Sequence, residues 1–387
     1  MLVNNNLCIG CGSCSAECQY KAIKMEQDIN GFIYPVVDDS LCVSCLQCES
    51  VCPILNPIRI ETHNLKTYAG SLGDRDEVLK SSSGGAFVAL ANVFLQKKGY
   101  VCGVVYSIDF KSAYHICSNK LQDIEGMRGS KYIQSEITSE IYVYIRSLIE
   151  DGVNVLFTGT PCQISALNRY LGKEYQNLVT CDLICHGPTS QKIQKEYVEY
   201  LETKYSSKIK NFSMRHKINK CQPPYLKVVF ENGKIFCKPL YRTHFGFAFS
   251  DIALRSCCYN CKFKDCNRTS DITIGDFWGI DNNYKYYNHL GTSVIIANTP
   301  KGIDTINRME GFNIFESEYS LAVNGNPRLV ASTPINPYTR QFYKLLNTKG
   351  LLYAVRKFNK PKTLIGYAGK YTPNFIKRII KNTIKLK

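Results

Sequence analysis

Residues 8–18 read CIGCGSCSAEC and residues 42–53 read CVSCLQCESVCP, and both carry the spacing CxxCxxCxxxC. Thiolates two residues apart wrap three corners of an iron-sulfur cubane, and the fourth, three residues on, leaves on a helix that points at the neighbouring cluster. The expected ligand sets are therefore crossed. Cys8, Cys11, Cys14 and Cys52 hold one [4Fe-4S] cluster; Cys42, Cys45, Cys48 and Cys18 hold the other. Pro53 completes the second motif, whereas Gln19 follows Cys18, a departure that changes no ligand. Zinc competes for these thiols, but zinc sites pair two CxxC units across a longer spacer and need a single quartet each. Two clusters in so small a unit form an electron wire, and a unit with few large apolar side chains needs them in order to fold.

A third set of cysteines lies in RSCCYNCKFKDCNRTSDITIGDFWG, residues 255–279, where Cys258 and Cys261 form a CxxC. A lone CxxC needs two further ligands, and Cys162 of GTPCQISAL and Cys185 of LICHG stand at neighbouring strand ends where they could supply them. Cys257 or Cys266 competes for a place in this set. Cys181 lies at even spacing from Cys185, so strand alternation does not exclude it. Cys162 has two other readings. A helix N-terminus lowers a thiol pKa, which suits a nucleophile with His186 as the nearest base on the same edge; the third reading is a buried structural thiol.

These groups need a scaffold. AIKMEQDINGFIYPVVDDS reads as two short strands turned through Asn30-Gly31, so residues 1–58 are expected to form an α+β, ferredoxin-like two-cluster domain. From about Lys66 short apolar runs alternate with amphipathic stretches: TYAGSL, YVCGVVY, VNVLFTG and LVTCDLICHG read as strands. SSSGGAFVALANVFLQKKG, SEIYVYIRSLIEDG, PCQISALNRYLG and PTSQKIQKEYVEYLETK read as helices. That pattern predicts an α/β domain with a mostly parallel sheet over residues 66–335, which would bind its ligand beyond the carboxyl ends of the strands. The loops SSSGG (81–85), GTPCQ (159–163) and HGPTS (186–190) each open a helix at that edge. They offer free N–H groups and the positive end of a helix dipole to a dinucleotide pyrophosphate. Each loop taken singly also reads as an ordinary cap or turn; their recurrence is the signal.

The charge is concentrated at one end. Of the net +16, the stretch from Lys344 to Lys387 supplies twelve Lys or Arg and no acid. A helical basic C-terminal tail is thus expected within residues 336–387, with Phe375, Ile376, Ile379, Ile380 and Ile384 sharing one face. It suits an anionic membrane surface or an acidic partner as well as a solvated helix packed on the domain. No nucleic-acid-reading motif accompanies the charge. Nineteen cysteines in clusters, behind a start with no signal-peptide pattern, point to reduced thiols in the cytoplasm, at most peripheral to the inner face of the membrane. No apolar run approaches the roughly 20 residues needed to span a bilayer.

Taken together, SSSGGAF, GSKYIQS, GTPCQISAL, CHGPTS, CYNCKF and DITIGDFWG, behind a two-cluster unit, resemble the coenzyme F420 hydrogenase/dehydrogenase beta-subunit family over about residues 5–300. The resemblance implies an oxidoreductase with FAD and iron-sulfur clusters, taking electrons from a ferredoxin-like or other redox protein and serving a small-molecule acceptor such as a deazaflavin. A non-catalytic electron-transfer subunit is the alternative. It further implies that Cys162, Cys185, Cys258 and Cys261 hold a third [4Fe-4S] cluster beside FAD. Ser83, Gly84 and Gly85 would approach the flavin or its phosphates, and Ser130, Lys131 and Tyr132 would line the same pocket with Gly159, Thr160, His186 and Gly187. Lys131 would balance the pyrophosphate or the reduced ring, Asp276 anchor a loop, and Trp278 serve as core or ring contact. HGPTS departs from the Val-Pro-Ser order of relatives.

Overall fold

The computed structural model describes residues 3–58, 66–264 and 267–359. Cys266 and the apolar tail positions from Phe375 to Ile384 lie outside the described residues. In the front unit, α1 (Ser13–Glu17) and α2 (Gln47–Ser50) flank an antiparallel hairpin of β1 (Ile23–Gln27) and β2 (Ile33–Val37). The hairpin turns because Asp28 Oδ1 accepts from the N–H groups of Asn30 and Phe32 at 3.0 and 2.9 Å, and Gly31 takes a φ of 81°.

The second unit begins with β3 (Lys66–Leu72), α3 (Arg75–Lys80), α4 (Ala86–Leu95), β4 (Tyr100–Tyr106), β5 (Ala113–Ser118) and α5 (Leu121–Met127). It continues through α6 (Ser139–Glu150), β6 (Val155–Gly159), α7 (Pro161–Leu171), β7 (Leu178–Leu183) and α8 (Gln191–Tyr205). A meander of β8 (Ile209–His216), β9 (Tyr225–Phe230) and β10 (Ile235–Pro239) leads to α9 (His244–Phe247). The chain then returns through β11 (Ile272–Asp276), β12 (Ser293–Ala297), α10 (Pro300–Ile306), β13 (Phe312–Ser317) and α11 (Tyr319–Gly325). It reaches α12 (Thr339–Lys349) and α13 (Leu351–Phe358) last.

The large sheet has the order β13-β3-β12-β11-β7-β6-β4-β5. It is mixed, which corrects the expectation of a mostly parallel sheet: β4, β6, β7 and β11 are parallel neighbours, and the other pairings are antiparallel. The reason is local ambiguity, since β12, SVIIA, is buried at every position and reads like a parallel strand although it pairs antiparallel on both sides. Strand alternation divides the core. On β6, Leu156 faces the α4 side with Leu90 and Phe94, whereas Val155 and Phe157 face Ile145 of α6 and Ile164 of α7. The three-stranded meander packs on α8, α12 and α13 through Phe212, Val228, Ile193, Phe342 and Leu351. Residues 339–358, expected to open a basic extension, therefore complete a core. The expectation that all cysteines are reduced is corrected: Cys102 and Cys117, register partners on β4 and β5, form a disulfide. Facing positions of an antiparallel pair come close enough for this. Among the described residues no helix is long and apolar enough to cross a membrane.

Candidate functional site

The carboxyl ends of β4, β6, β7 and β11, with the loop after α3, surround a cavity of about 290 Å³. Ser83, Gly85, Ser130, Lys131 and Tyr132 line it, as do Gly159, Thr160, His186 and Gly187. Gly84 does not. Its N–H donates to Ser293 Oγ at 2.9 Å, and a Cβ there would stand 2.4 Å from Gly70 O, so this glycine serves close approach of the loop to the sheet. The serine loop is tied across the cavity, because Ser130 N donates to Ser82 Oγ at 2.9 Å and Ser83 Oγ donates to Thr292 O at 2.9 Å. Gly85 precedes α4 with no side-chain cap, which leaves the first-turn N–H groups for the cavity that Ala86, Phe87 and Val88 also line.

Lys131 lines the cavity as expected, but its side-chain nitrogen is turned to backbone carbonyls. Its Nζ donates to the carbonyls of Gly126, Met127, Arg128 and Gly129 at 2.8 to 3.1 Å, closing the C-terminus of α5, and burial lowers its pKa to about 7. The ammonium thus serves carbonyls where the sequence reading gave it a pyrophosphate or a reduced ring. Two cations that no motif announced take positions behind the serine loop. Arg215 of β8 donates to Ser82 O at 2.6 Å, to Asp276 Oδ1 at 2.7 Å and to Tyr132 Oη at 3.1 Å. Lys217 donates to Ser83 O at 2.6 Å and Val78 O at 2.7 Å, with burial lowering its pKa to about 8. Carbonyls held from behind turn the loop's other face toward the cavity. The spacing of Arg215 and Lys217, at and just past the end of β8, was the available signal. Asp276 does anchor a loop, through Arg215; Trp278 is half-buried, its ring 5.7 Å from the Arg215 guanidinium.

His186 Nε2 lies 2.6 Å from Asp251 Oδ1, and that contact holds the Asp251 carboxyl below its usual value. Phe249 packs between His186 and Tyr132, with ring centroids 4.9 and 4.3 Å away. Asp251 thus holds His186 by Nε2, while the buried Nδ1 has no partner among the described residues. Burial and the thiols of Cys261 and Cys185 push Cys162 well up, opposite to what a nucleophile needs.

The third cysteine set converges. Cys162 lies in the field of Cys261 and Cys185, Cys258 in that of Cys185 and Cys162, and Cys261 in that of Cys185. Cys257 is close by; its pKa is lowered to about 7, first by a hydrogen bond with Cys258, although burial opposes this, and also by Arg255. Cys181 is fully buried in the α4-side core, away from this set. Gly187, at φ 119°, would bring a Cβ within 3.2 Å of Cys258 Cβ, so only glycine lets the two loops meet. In the front unit, Cys8, Cys11, Cys14 and Cys52 line one small cavity of about 20 Å³. Burial raises Cys8, Cys11 and Cys14, and each also feels Cys52. Cys42 and Cys45 are exposed, and Cys18 and Cys48 are half-buried. Among the described residues no three His, Cys, Asp or Glu converge to hold a single metal ion. Cubane thiolates bind separate iron corners and stand further apart than ligands of one ion, so enclosed sets of thiols fit such clusters.

Comparison with known proteins assigns these parts. The family model for the C terminus of the coenzyme F420 hydrogenase/dehydrogenase beta subunit matches residues 152–318. A 4Fe-4S dicluster domain model matches residues 7–55. Among solved structures, a chain of the F420-reducing [NiFe] hydrogenase complex from Methanosarcina barkeri is 17% identical, with a TM-score of 0.44 over 79% of this chain and 94% of that one. No curated protein matches. Residues 7–55 therefore match a 4Fe-4S dicluster domain, and residues 152–318 match the C terminus of the coenzyme F420 hydrogenase/dehydrogenase beta subunit.

Proposed function

We propose that the protein is an iron-sulfur flavoprotein oxidoreductase that carries electrons from a ferredoxin-type donor through a ferredoxin-like two-cluster unit and a third cluster to FAD and a small organic acceptor. One observation carries the reading. The segment from Leu183 to Pro188 lines the 290 Å³ cavity, and its Cys185 also belongs to the converging thiols. A cluster held there would lie against whatever fills the cavity.

The residues present fit such a cofactor. The enclosed volume stands at the low end of ligand pockets, which run to about 300–1,000 Å³, so it suits a planar ring system, with the rest of a dinucleotide leaving by the mouth. Phe87, Val88, Tyr132 and Ile274 give apolar walls. The first turn of α4 gives N–H groups suited to phosphate, while Arg215 and Lys217 hold the loop before it by the carbonyls of Ser82 and Ser83. Cys162, Cys185, Cys258 and Cys261 are the third ligand set, with Cys257 in reserve. A bound flavin exchanges electron pairs with an organic molecule and single electrons with clusters. The chain's own part is to fix distances, exclude water and hold the ring against Cys185.

A second reading, an electron-transfer subunit docked on a separate redox enzyme, draws on the exposed Leu41, Val43 and Leu46 beside the exposed Cys42 and Cys45. Anaerobic purification followed by iron, sulfide and flavin analysis tests both. The first reading expects about twelve irons and one FAD per chain, from three cubanes. Clusters without flavin would refute it and leave the subunit reading standing.

A further inference from the structure

Arg255 heads the fully buried side chains in size. It stands in the second unit, yet its guanidinium reaches into the first. Nε donates to Cys8 O at 2.9 Å, Nη2 to Ile33 O at 3.0 Å, and Nη1 to Gln134 Oε1 at 2.9 Å. The guanidinium lies 4.1 Å from the centre of the Tyr34 ring. Gln134 reinforces the joint, accepting from Ile33 N–H at 3.3 Å and donating to Ile9 O at 3.4 Å.

A buried cation is costly unless an anion stands near it. Among the described residues no carboxylate pairs with Arg255; the ionisable groups around it are Tyr34 and the thiols of Cys257, Cys8 and Cys258. Cys8 belongs to the enclosed front quartet and Cys258 to the third set. The side chain therefore bonds the backbone that bears one thiol set, at Cys8 O, while its own segment of chain bears the other.

We propose that Arg255 is the positioning residue of the relay, a buried cation that fixes the gap between the front quartet and the third set and whose charge favours the reduced state of the clusters on either side. This rests on the reading above that both sets hold clusters. The step it serves is the passage of one electron, one site being oxidised as the other is reduced, with no proton moved and no bond made. Charge and clamp are separable, because lysine keeps the first and loses the planar fork.

The test uses the full chain purified anaerobically as wild type, Arg255→Lys and Arg255→Met. Iron per chain, midpoint potentials from EPR-monitored redox titration, and amide hydrogen exchange over residues 8–37 are the readouts. Arg255→Met is expected to keep its iron, to shift cluster reduction at least tenfold toward the oxidised form, about 59 mV for one electron, and to exchange faster. Arg255→Lys should hold the potential yet exchange faster. Fully loaded Arg255→Met with wild-type potentials and exchange would overturn the proposal. If Arg255→Met loses iron, Arg255→Lys decides: faster exchange at unchanged potential supports the clamp, and wild-type exchange refutes it. A wild type lacking the third cluster would instead refute the proposed function, so the two failures are distinguishable.

Discussion

Gly10 lies inside the first cysteine motif, between Cys8 and Cys11, with φ 65°. A Cβ there would stand 2.5 Å from Ile33 O, 2.5 Å from Gln134 Nε2 and 2.9 Å from Arg255 Nη2. Gly172, the C-cap of α7, has φ 74° and open space around its Cβ position. Gly10→Ala and Gly172→Ala therefore share the left-handed backbone cost, about 1–2 kcal/mol, and differ in crowding. Ile33 O is backbone in β2 and already accepts from Arg255, so it yields only if the hairpin moves. Forcing a methyl into a packed site costs a further ~1–3 kcal/mol. That excess is roughly a 5- to 150-fold larger opening constant for the joint between the two units. Native-state hydrogen exchange over residues 8–37 measures it, and iron retained after a timed chelator challenge gives a second reading. Gly10→Ala should open more and lose iron faster than Gly172→Ala. Equal behaviour of the two variants would refute the close-packed joint.

Cys258→Ala should lower iron by about a third, one cubane of three, while the front clusters remain; retention of all iron would remove this thiol from the ligand set. His115 is fully buried on the Phe157 ring, with Nε2 3.2 Å from Thr158 O, and burial lowers its pKa to about 4. The unfolded chain takes up a proton near 6.5 that the folded one refuses, so stability is full above pH 6.5 and falls toward pH 4, by ~3 kcal/mol at most. Urea midpoints at pH 7 and 4.5 should converge in His115→Phe relative to wild type; an unchanged pH slope would sink the assignment.

Local pattern made much of this legible. Between residues 66 and 205 the four strands and four helices read from the sequence announce themselves as short apolar runs and amphipathic stretches. Of these strands β3, β6 and β7 are buried almost throughout, whereas β5, α3 and α5 were not read. The glycine- and proline-bearing loops announce themselves because a helix must be capped where a strand stops. Strand direction was not legible: β12 and β13 are antiparallel to β3, and nothing within a five-residue apolar run records which neighbour it meets. Arg215, Lys217 and Arg255 escaped for a similar reason. Each is an ordinary basic residue in its own stretch, and its role is set by carbonyls between 133 and 247 positions away in the chain, those of Ser82, Ser83 and Cys8. Lys131 was placed in the right cavity wall with the wrong partner, because a lysine near a predicted phosphate loop and one closing its own helix have the same local sequence.

Exposure orders the proposed relay. Cys42 and Cys45 face solvent among exposed apolar neighbours, the quartet of Cys8, Cys11, Cys14 and Cys52 is enclosed, and the third set lies beyond Arg255 against the cavity. An electron carrier too large for a pocket can reach only the outer quartet, whereas a small molecule meets the chain's interior only through the cavity mouth. In the proposed relay the two substrates would thus meet the chain at different places, one at the exposed cysteines and one at the cavity mouth. Arg255, a large charge buried along that line, is where a change in the chain would alter communication between them without touching either.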